Sequence, residues 1–280
     1  MMDRARRRIG IVGYGHLGKF LVNQILLRED DLELVFVWNR TSSVLRNEVD
    51  EKYILEDLSL FADRKPDLIV EVAHPLITAQ FGVDFLKVAD YLVGSPTTFA
   101  DIKVEESMRE AATTHGLYIP SGAFWGAEDI KKMADRGTLQ KLKVTMSKHP
   151  SCFRLNGELF EKNKSVTTER TVLYEGSVRG LCPLAPNNVN TMAAAAMVAH
   201  NLGFDKVEGS LVSDPMLTDW HVVEVDVWGP GDIESGSAFH VKTTRNNPAK
   251  AGVVTGSATS VSFISSLLGA HGKGPGVHFC

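Results

Sequence analysis

The sequence predicts an α/β chain: a parallel-sheet domain first, then a second α+β domain built on a mixed or antiparallel sheet. Three observations predict it. Strands and helices alternate through the first 120 residues, the pattern of a parallel sheet with helices on both faces. A glycine-rich turn joins the first strand to the first helix. After Ser121-Gly122 the strand-like segments crowd together, with few helices between them. The length of 280 residues suits one large domain or two modest ones.

In chain order, Arg8–Val12 reads as a buried strand and His16–Leu27 as the helix after it. Leu32–Trp38 is the second strand, and Asp67–Val72 the third, ending before Ala73-His74-Pro75. A helix runs from that turn to Val88. The strand Tyr91–Val93 is closed by Gly94-Ser95-Pro96. Asp101 is placed to cap a helix ending near Gly116, and the strand Leu117–Ile119 stops at Pro120. Beyond this point a short helix is expected over Ala127–Arg136. Strands follow at Lys141–Met146, Val172–Tyr174, Val207–Val212, Trp220–Val227 and Ala238–Thr243. An alanine-rich helix, Thr191–Asn201, lies among them, with Asn190 placed as its N-cap. A last helix, Ser257–Leu268, follows Asn247-Pro248, and the Gly-rich tail from Gly269 reads as loose.

Composition excludes several classes. At 44% hydrophobic and 23% charged, the chain can build a large core and is not mainly disordered. A net charge of −4 and a pI near 6.1 argue against nucleic acid as a partner. No apolar run reaches the ~18 residues of a membrane span. Cys152, Cys182 and Cys280 are too few and too scattered for a disulfide framework or a zinc site, so no metal is expected and a reducing compartment fits. The basic run Asp3–Arg8 is too short, and too close to the first strand, to read as a transit peptide. The expectation is a cytoplasmic protein.

Gly13-Tyr14-Gly15-His16-Leu17-Gly18 carries the strongest signal, because it follows a strand and opens a helix. That context marks a Rossmann dinucleotide site. Gly13 permits the tight turn, Gly15 lets a pyrophosphate approach the backbone, and Gly18 allows close helix–strand packing. The helix N-terminus then supplies free N–H groups to the anion. The second strand ends Asn39-Arg40-Thr41, without the acid that binds the ribose of NAD, and Arg40 can pair with a 2′-phosphate. The expected cofactor is NADP or NAD. In Trp220–Val227 the alternation sets His221 on the face of Val223, Val225 and Val227, opposite Glu224 and Asp226. A histidine there is either a core residue or a group facing a cleft.

The order and spacing of the glycine motif, Pro120-Ser121-Gly122-Ala123, Glu175-Gly176-Ser177, Asn188-Val189-Asn190, Asp214-Pro215 and His221 resemble the L-aspartate dehydrogenase family, over nearly the whole chain to about Leu268. The resemblance implies a Rossmann domain, an α+β catalytic domain and a last helix returning to the first. The expected division is residues 1–121 with 249–280, and 122–248. It implies homodimers, and oxidation of L-aspartate, a dicarboxylic amino acid, to iminosuccinate and then oxaloacetate plus ammonia. His221 falls on the family's catalytic histidine, and Ala123 and Asn190 on its cofactor contacts. Lys148 matches a family position and is the candidate, with Asn188, for holding the substrate. Ala73 and His74 are read as lining the cofactor cleft. Three departures stand out. The loop between Asp214-Pro215 and His221 is one residue short, Trp220 replaces a small or β-branched residue, and Asn39 stands where the family often has Asp. Two other readings are a dehydrogenase for another small amino or oxo acid, and a non-catalytic NADP-binding sensor or scaffold.

Overall fold

A computed structural model describes residues 5–280. Residues 1–4, which include the start of the basic run, lie outside the described residues. Arg7 and Arg8 are held within the fold: Arg7 pairs with Asp90 at 3.1 Å and Arg8 with Glu33 at 3.1 Å.

The first sheet is built from β1 (Arg7–Val12), β2 (Leu32–Trp38), β3 (Leu68–Glu71), β4 (Asp90–Val93) and β5 (Gly116–Ile119). Helices α1 (His16–Leu26), α2 (Pro75–Val88) and α3 (Ile102–Ala111) alternate with them. β3 and β5 are buried along their whole length, as strands covered on both faces must be. Between β2 and β3 the chain crosses as three 3₁₀ turns rather than a helix. Asp101 caps α3 by accepting from the backbone N–H groups of Lys103 and Val104. The helix stops at Ala111, short of Gly116, because Ala112 leaves helical geometry and the Thr113 N–H turns back to the Ala111 carbonyl.

The second half contains α4 (Ala127–Asp135), β6 (Lys141–Lys148), α5 (Gly157–Lys164), β7 (Thr171–Ser177), α6 (Val178–Leu181), α7 (Asn190–Val198), α8 (Gly203–Lys206), β8 (Glu208–Ser213), β9 (Trp220–Trp228), β10 (His240–Pro248), α9 (Ser257–Gly269) and β11 (Gly276–Phe279). The strand order is β10-β9-β6-β8-β7. β6 and β8 are parallel, and β9 is antiparallel to both β6 and β10. β10 starts and ends later than the sequence pattern suggests. Pro230 to Phe239 form a loop closed by the Gly229 N–H on the Phe239 carbonyl at 2.9 Å, and the strand ladder begins where His240 meets Trp228. One face of this sheet carries the ion pairs Lys141–Glu208, Lys143–Glu175 and Lys242–Glu224.

The tail is not loose. β11 adds to the first sheet, parallel to β5, giving the order β11-β5-β4-β3-β1-β2. Without it β5 would be an open edge of unpaired N–H and C=O groups. The Cys280 carbonyl also accepts from the Ser121 N–H at 2.8 Å and the Ser266 hydroxyl at 2.7 Å.

One apolar core runs from the first sheet into the second. Helix α7 passes through it, with Thr191 to Val198 all buried. A helix apolar on every side belongs inside a protein, and alanine lets it approach its neighbours closely. Among the described residues, no helix is long and apolar enough to cross a membrane.

Candidate active site

In the first sheet β1 lies between β2 and β3, so the connections from β1 diverge there. At such a switch point ligands bind outside the carboxyl ends of the strands. The glycine loop occupies that edge. Gly13 has φ +112°, and a Cβ there would meet the Val72 and Ala73 backbone at 2.8 Å. A Cβ on Gly18 would strike the Gly13 carbonyl at 2.0 Å. A Cβ on Gly15 would meet nothing within 4 Å, so the loop is closed behind and open in front. Gly15 caps α1 without a side chain, and the first turn holds no acid. This cradle and the bare helix N-terminus fit a dinucleotide pyrophosphate.

The loops beside the cradle are tied by a buried carboxyl that sequence reasoning missed. Glu71 ends β3, and one of its oxygens accepts from the N–H groups of Ala73 at 2.6 Å and His74 at 2.8 Å. It also takes the Ser95 N–H and hydroxyl, each at 3.0 Å. Burial pushes its pKa up to about 7 against those four donors. The signal in the sequence is an acid at the end of an otherwise apolar strand.

Asn39 is occupied within the protein: Oδ1 accepts from the Tyr14 N–H and Nδ2 donates to the Thr41 carbonyl, both at 3.1 Å. It shapes the glycine loop and is not free to take a ribose. Arg40 and Thr41 are exposed beside it, and Gly15, His16, Ala73 and His74 are exposed along the same edge. His74 caps α2 through its ring, accepting from the Leu76 N–H at 3.2 Å.

A separate cavity of about 120 Å³ lies between the two sheets. It brings together Leu17 from the glycine helix, Ala123 after the interdomain turn, Lys148, Asn188, Asn190 and His221. Two of these differ from the sequence expectation. Asn190 does not cap α7: Val189 holds the cap position and Asn190 begins the helix, with a buried Oδ1 that has no partner. Asn188 is not free for a substrate. Its Oδ1 accepts from the Arg154 N–H at 2.7 Å and its Nδ2 donates to the Cys152 carbonyl at 3.3 Å, so it is a wall of the cavity.

β9 places His221 as its alternation predicts, on the buried face with Val223, Val225 and Val227. Its Nε2 is buried without a partner. Burial, and then the nearby Lys148 ammonium, lower its pKa from 6.5 to about 4, so the ring is neutral at pH 7. Lys148 ends β6 with only 5% exposure, and burial lowers its pKa to about 8. Its ammonium donates to the Val254 carbonyl at 3.2 Å. An ammonium has three N–H donors, so this buried cation has capacity left for an anion. A neutral base and a buried cation in one small cavity can bind a carboxylate and accept a proton beside it. No group of acids, histidines and cysteines arranged to hold a metal occurs among the described residues.

Comparison with known proteins places these features in context. The family model described as "Aspartate dehydrogenase, C-terminal" matches residues 129–268, and "Homoserine dehydrogenase, NAD binding domain" matches residues 13–120. The chain is 56% identical to an aspartate dehydrogenase domain-containing protein of Xenopus tropicalis, covering 100% of both. It is 30% identical to an L-aspartate dehydrogenase of Methanopyrus kandleri, covering 78% of this chain and 81% of that one. Its fold is that of the aspartate dehydrogenase of Thermotoga maritima, with a TM-score of 0.70 and 22% identity over 96% of this chain and 98% of that one.

Lys148 generates a prediction with opposite signs for stability and binding. Its folded pKa of about 8 lies below the ordinary 10.5, so the fold disfavours the charged form and stability rises with pH between about 8 and 10.5. Lys148→Met should stabilise the protein at pH 7 by about 1–3 kcal/mol and flatten that rise. Denaturant unfolding at pH 7 and pH 10 checks both. The same variant should lose anion binding in this cavity.

Proposed function

The chain belongs to the aspartate dehydrogenase family, and from that premise we propose that it oxidises L-aspartate to iminosuccinate, which hydrolyses to oxaloacetate and ammonia. The observation that carries this reading is the cavity itself: buried Lys148 and a neutral, unpartnered His221 Nε2 beside Leu17 and Ala123. NADP or NAD is the cofactor, and the first domain is a dinucleotide-binding domain. When bound, the dinucleotide supplies the hydride-accepting ring. Gly13, Gly15 and Gly18, with the N–H groups of His16 and Leu17, hold the pyrophosphate. Arg40 and Thr41 take a 2′-phosphate. Ala73 and His74 border the cofactor cleft, and Ala123 and Asn190 contact its nicotinamide end.

Lys148 binds a substrate carboxylate. That anion offsets the repulsion between Lys148 and a protonated His221, so substrate binding raises the affinity of Nε2 for a proton. His221 then accepts the proton of the substrate ammonium, leaving the amine lone pair that expels hydride from Cα. After hydride loss His221 gives that proton up to solvent, and its neutral Nε2 takes a proton from the water that attacks the imine carbon. We assign residues 1–121 with 249–280 to cofactor binding and 122–248 to catalysis and dimerisation. The homodimer reading draws support from exposed Trp125, Phe239 and Val241 beside α4 and β10. The cytoplasm is the proposed location, in keeping with three free cysteines.

Turnover of L-aspartate with NADP and with NAD tests the reaction. His221→Ala should lose about 10²–10⁴ in kcat with cofactor affinity nearly unchanged. In the intact protein kcat/KM should fall below about pH 4, as His221 gains a proton, and above about pH 8, as Lys148 loses one. Unchanged turnover in His221→Ala would overturn the assignment, and cofactor binding without turnover of any dicarboxylic amino acid would favour the sensor reading.

In the same assay Arg40→Ala should weaken NADP about ten- to a hundredfold and leave NAD little changed. Equal losses would make Arg40 structural. Light scattering at micromolar concentration should give about twice 30.7 kDa, and a monomer at high concentration would remove the dimer.

A further inference from the structure

Strand β10 contributes one more residue to the cavity. Asn247 lies opposite His221 in the β9–β10 register and lines the same space. Its side chain is 3% exposed. Nδ2 donates to the His221 carbonyl at 3.2 Å and, at 3.4 Å, to that of Arg245. Turning the amide over would set Oδ1 against two carbonyl oxygens, so its orientation is defined by the backbone. Oδ1 is left buried with no hydrogen-bond partner. A polar atom held that way costs free energy unless something arrives to meet it.

The charge balance of the cavity indicates what arrives. Lys148 is a cation, and His221 is neutral there because burial, and then the positive charge of Lys148, disfavour its protonated form. A ligand that brings an ammonium of its own therefore needs acceptors. The buried side-chain atoms free to accept in this cavity are His221 Nε2, Asn190 Oδ1 and Asn247 Oδ1. Asn190 begins a helix of the other wall, whereas Asn247 is the strand neighbour of His221.

We propose that Asn247 is the amine-recognition residue of this site, its Oδ1 accepting one N–H of the substrate's ammonium while His221 Nε2 takes the proton of another. This rests on the functional reading above and adds the basis for selecting an amino acid over a plain dicarboxylic acid. In the proton transfer the substrate N–H bond breaks, the Nε2–H bond forms, and the electron pair stays on nitrogen. Asn247 keeps its own contact before and after, so it orients the resulting lone pair. An amide suits this role better than a carboxylate, which would hold the ammonium charged and raise the energy of its deprotonation.

The test compares L-aspartate with succinate, which has both carboxylates and no amine. Each is titrated calorimetrically into the protein saturated with reduced NADP, where no oxidation can follow. Asn247→Ala should weaken L-aspartate about ten- to a hundredfold and leave succinate unchanged. Succinate binding also reports that the site is folded; if the alanine variant does not fold, Asn247→Ser should show the same selective loss. Equal losses for both ligands, or no loss for L-aspartate, would overturn the proposal while leaving the dicarboxylate site standing. Intact protein that binds neither ligand would overturn the functional reading and this inference with it.

Discussion

Burial of α7 on every side is the constraint from which the cleft follows. The helix is almost all alanine, methionine and valine, and it lies where the core of the first sheet meets that of the second. Small side chains let both layers approach it, so the two halves share one apolar interior instead of meeting across a wet surface. The turn before it is held as firmly. Asn188 bonds to the backbone of Arg154 and Cys152, and this fixes where Asn190 enters the cavity. Across the cavity, β9 is paired with β10 through His221 itself and with β6 as far as Val222, and this fixes where His221 stands. The site is thus assembled from rigid elements of both halves, as accurate positioning of reacting groups requires.

The electrostatics of the cavity complement this rigidity. A buried ammonium beside a buried imidazole is a poor arrangement for stability and a good one for receiving an anion. The protein alone leaves Lys148 with one backbone partner and keeps His221 neutral. An anion bound at Lys148 would supply the missing counter-charge, and it would raise the proton affinity of His221 at the same time. Glu71 works differently. Its carboxyl gathers four donors from the two loops after β3 and β4, and so shapes the cofactor edge without facing the cavity. Burial pushes that carboxyl up to about 7 even though all four donors favour its charged form.

The cofactor edge shows how one substitution changes what a strand end can do. An acid after β2 would present charge to a ribose. Asn39 instead turns its amide inward, joining the Tyr14 N–H to the Thr41 carbonyl. The outward position is left to Arg40, exposed beside a neutral amide. No carboxylate stands at this strand end, and the charged side chain that follows Asn39 is a cation.

Local patterns carried much of this architecture. The strand, glycine turn and helix at the start were legible because tight turns and close packing impose residue types directly on the sequence. The face of His221 was legible because strand alternation is strictly local. Other features depended on partners far along the chain. The tail after Gly269 carries glycines that suggest looseness, yet Gly276–Phe279 is ordered by the open edge of β5, about 160 residues earlier. Asn190 has the composition of a cap, but Val189 takes that place, and the amide of Asn188 is drawn to a loop 34 residues away. Glu71 and Asn247 gave no periodic signal. The sequence by itself determined the two-domain fold, the glycine cradle and the face on which His221 lies. The tertiary structure alone decided which buried atoms find partners and which are left waiting for a ligand, because satisfaction of a hydrogen bond and desolvation of a charge belong to surroundings that no local pattern specifies.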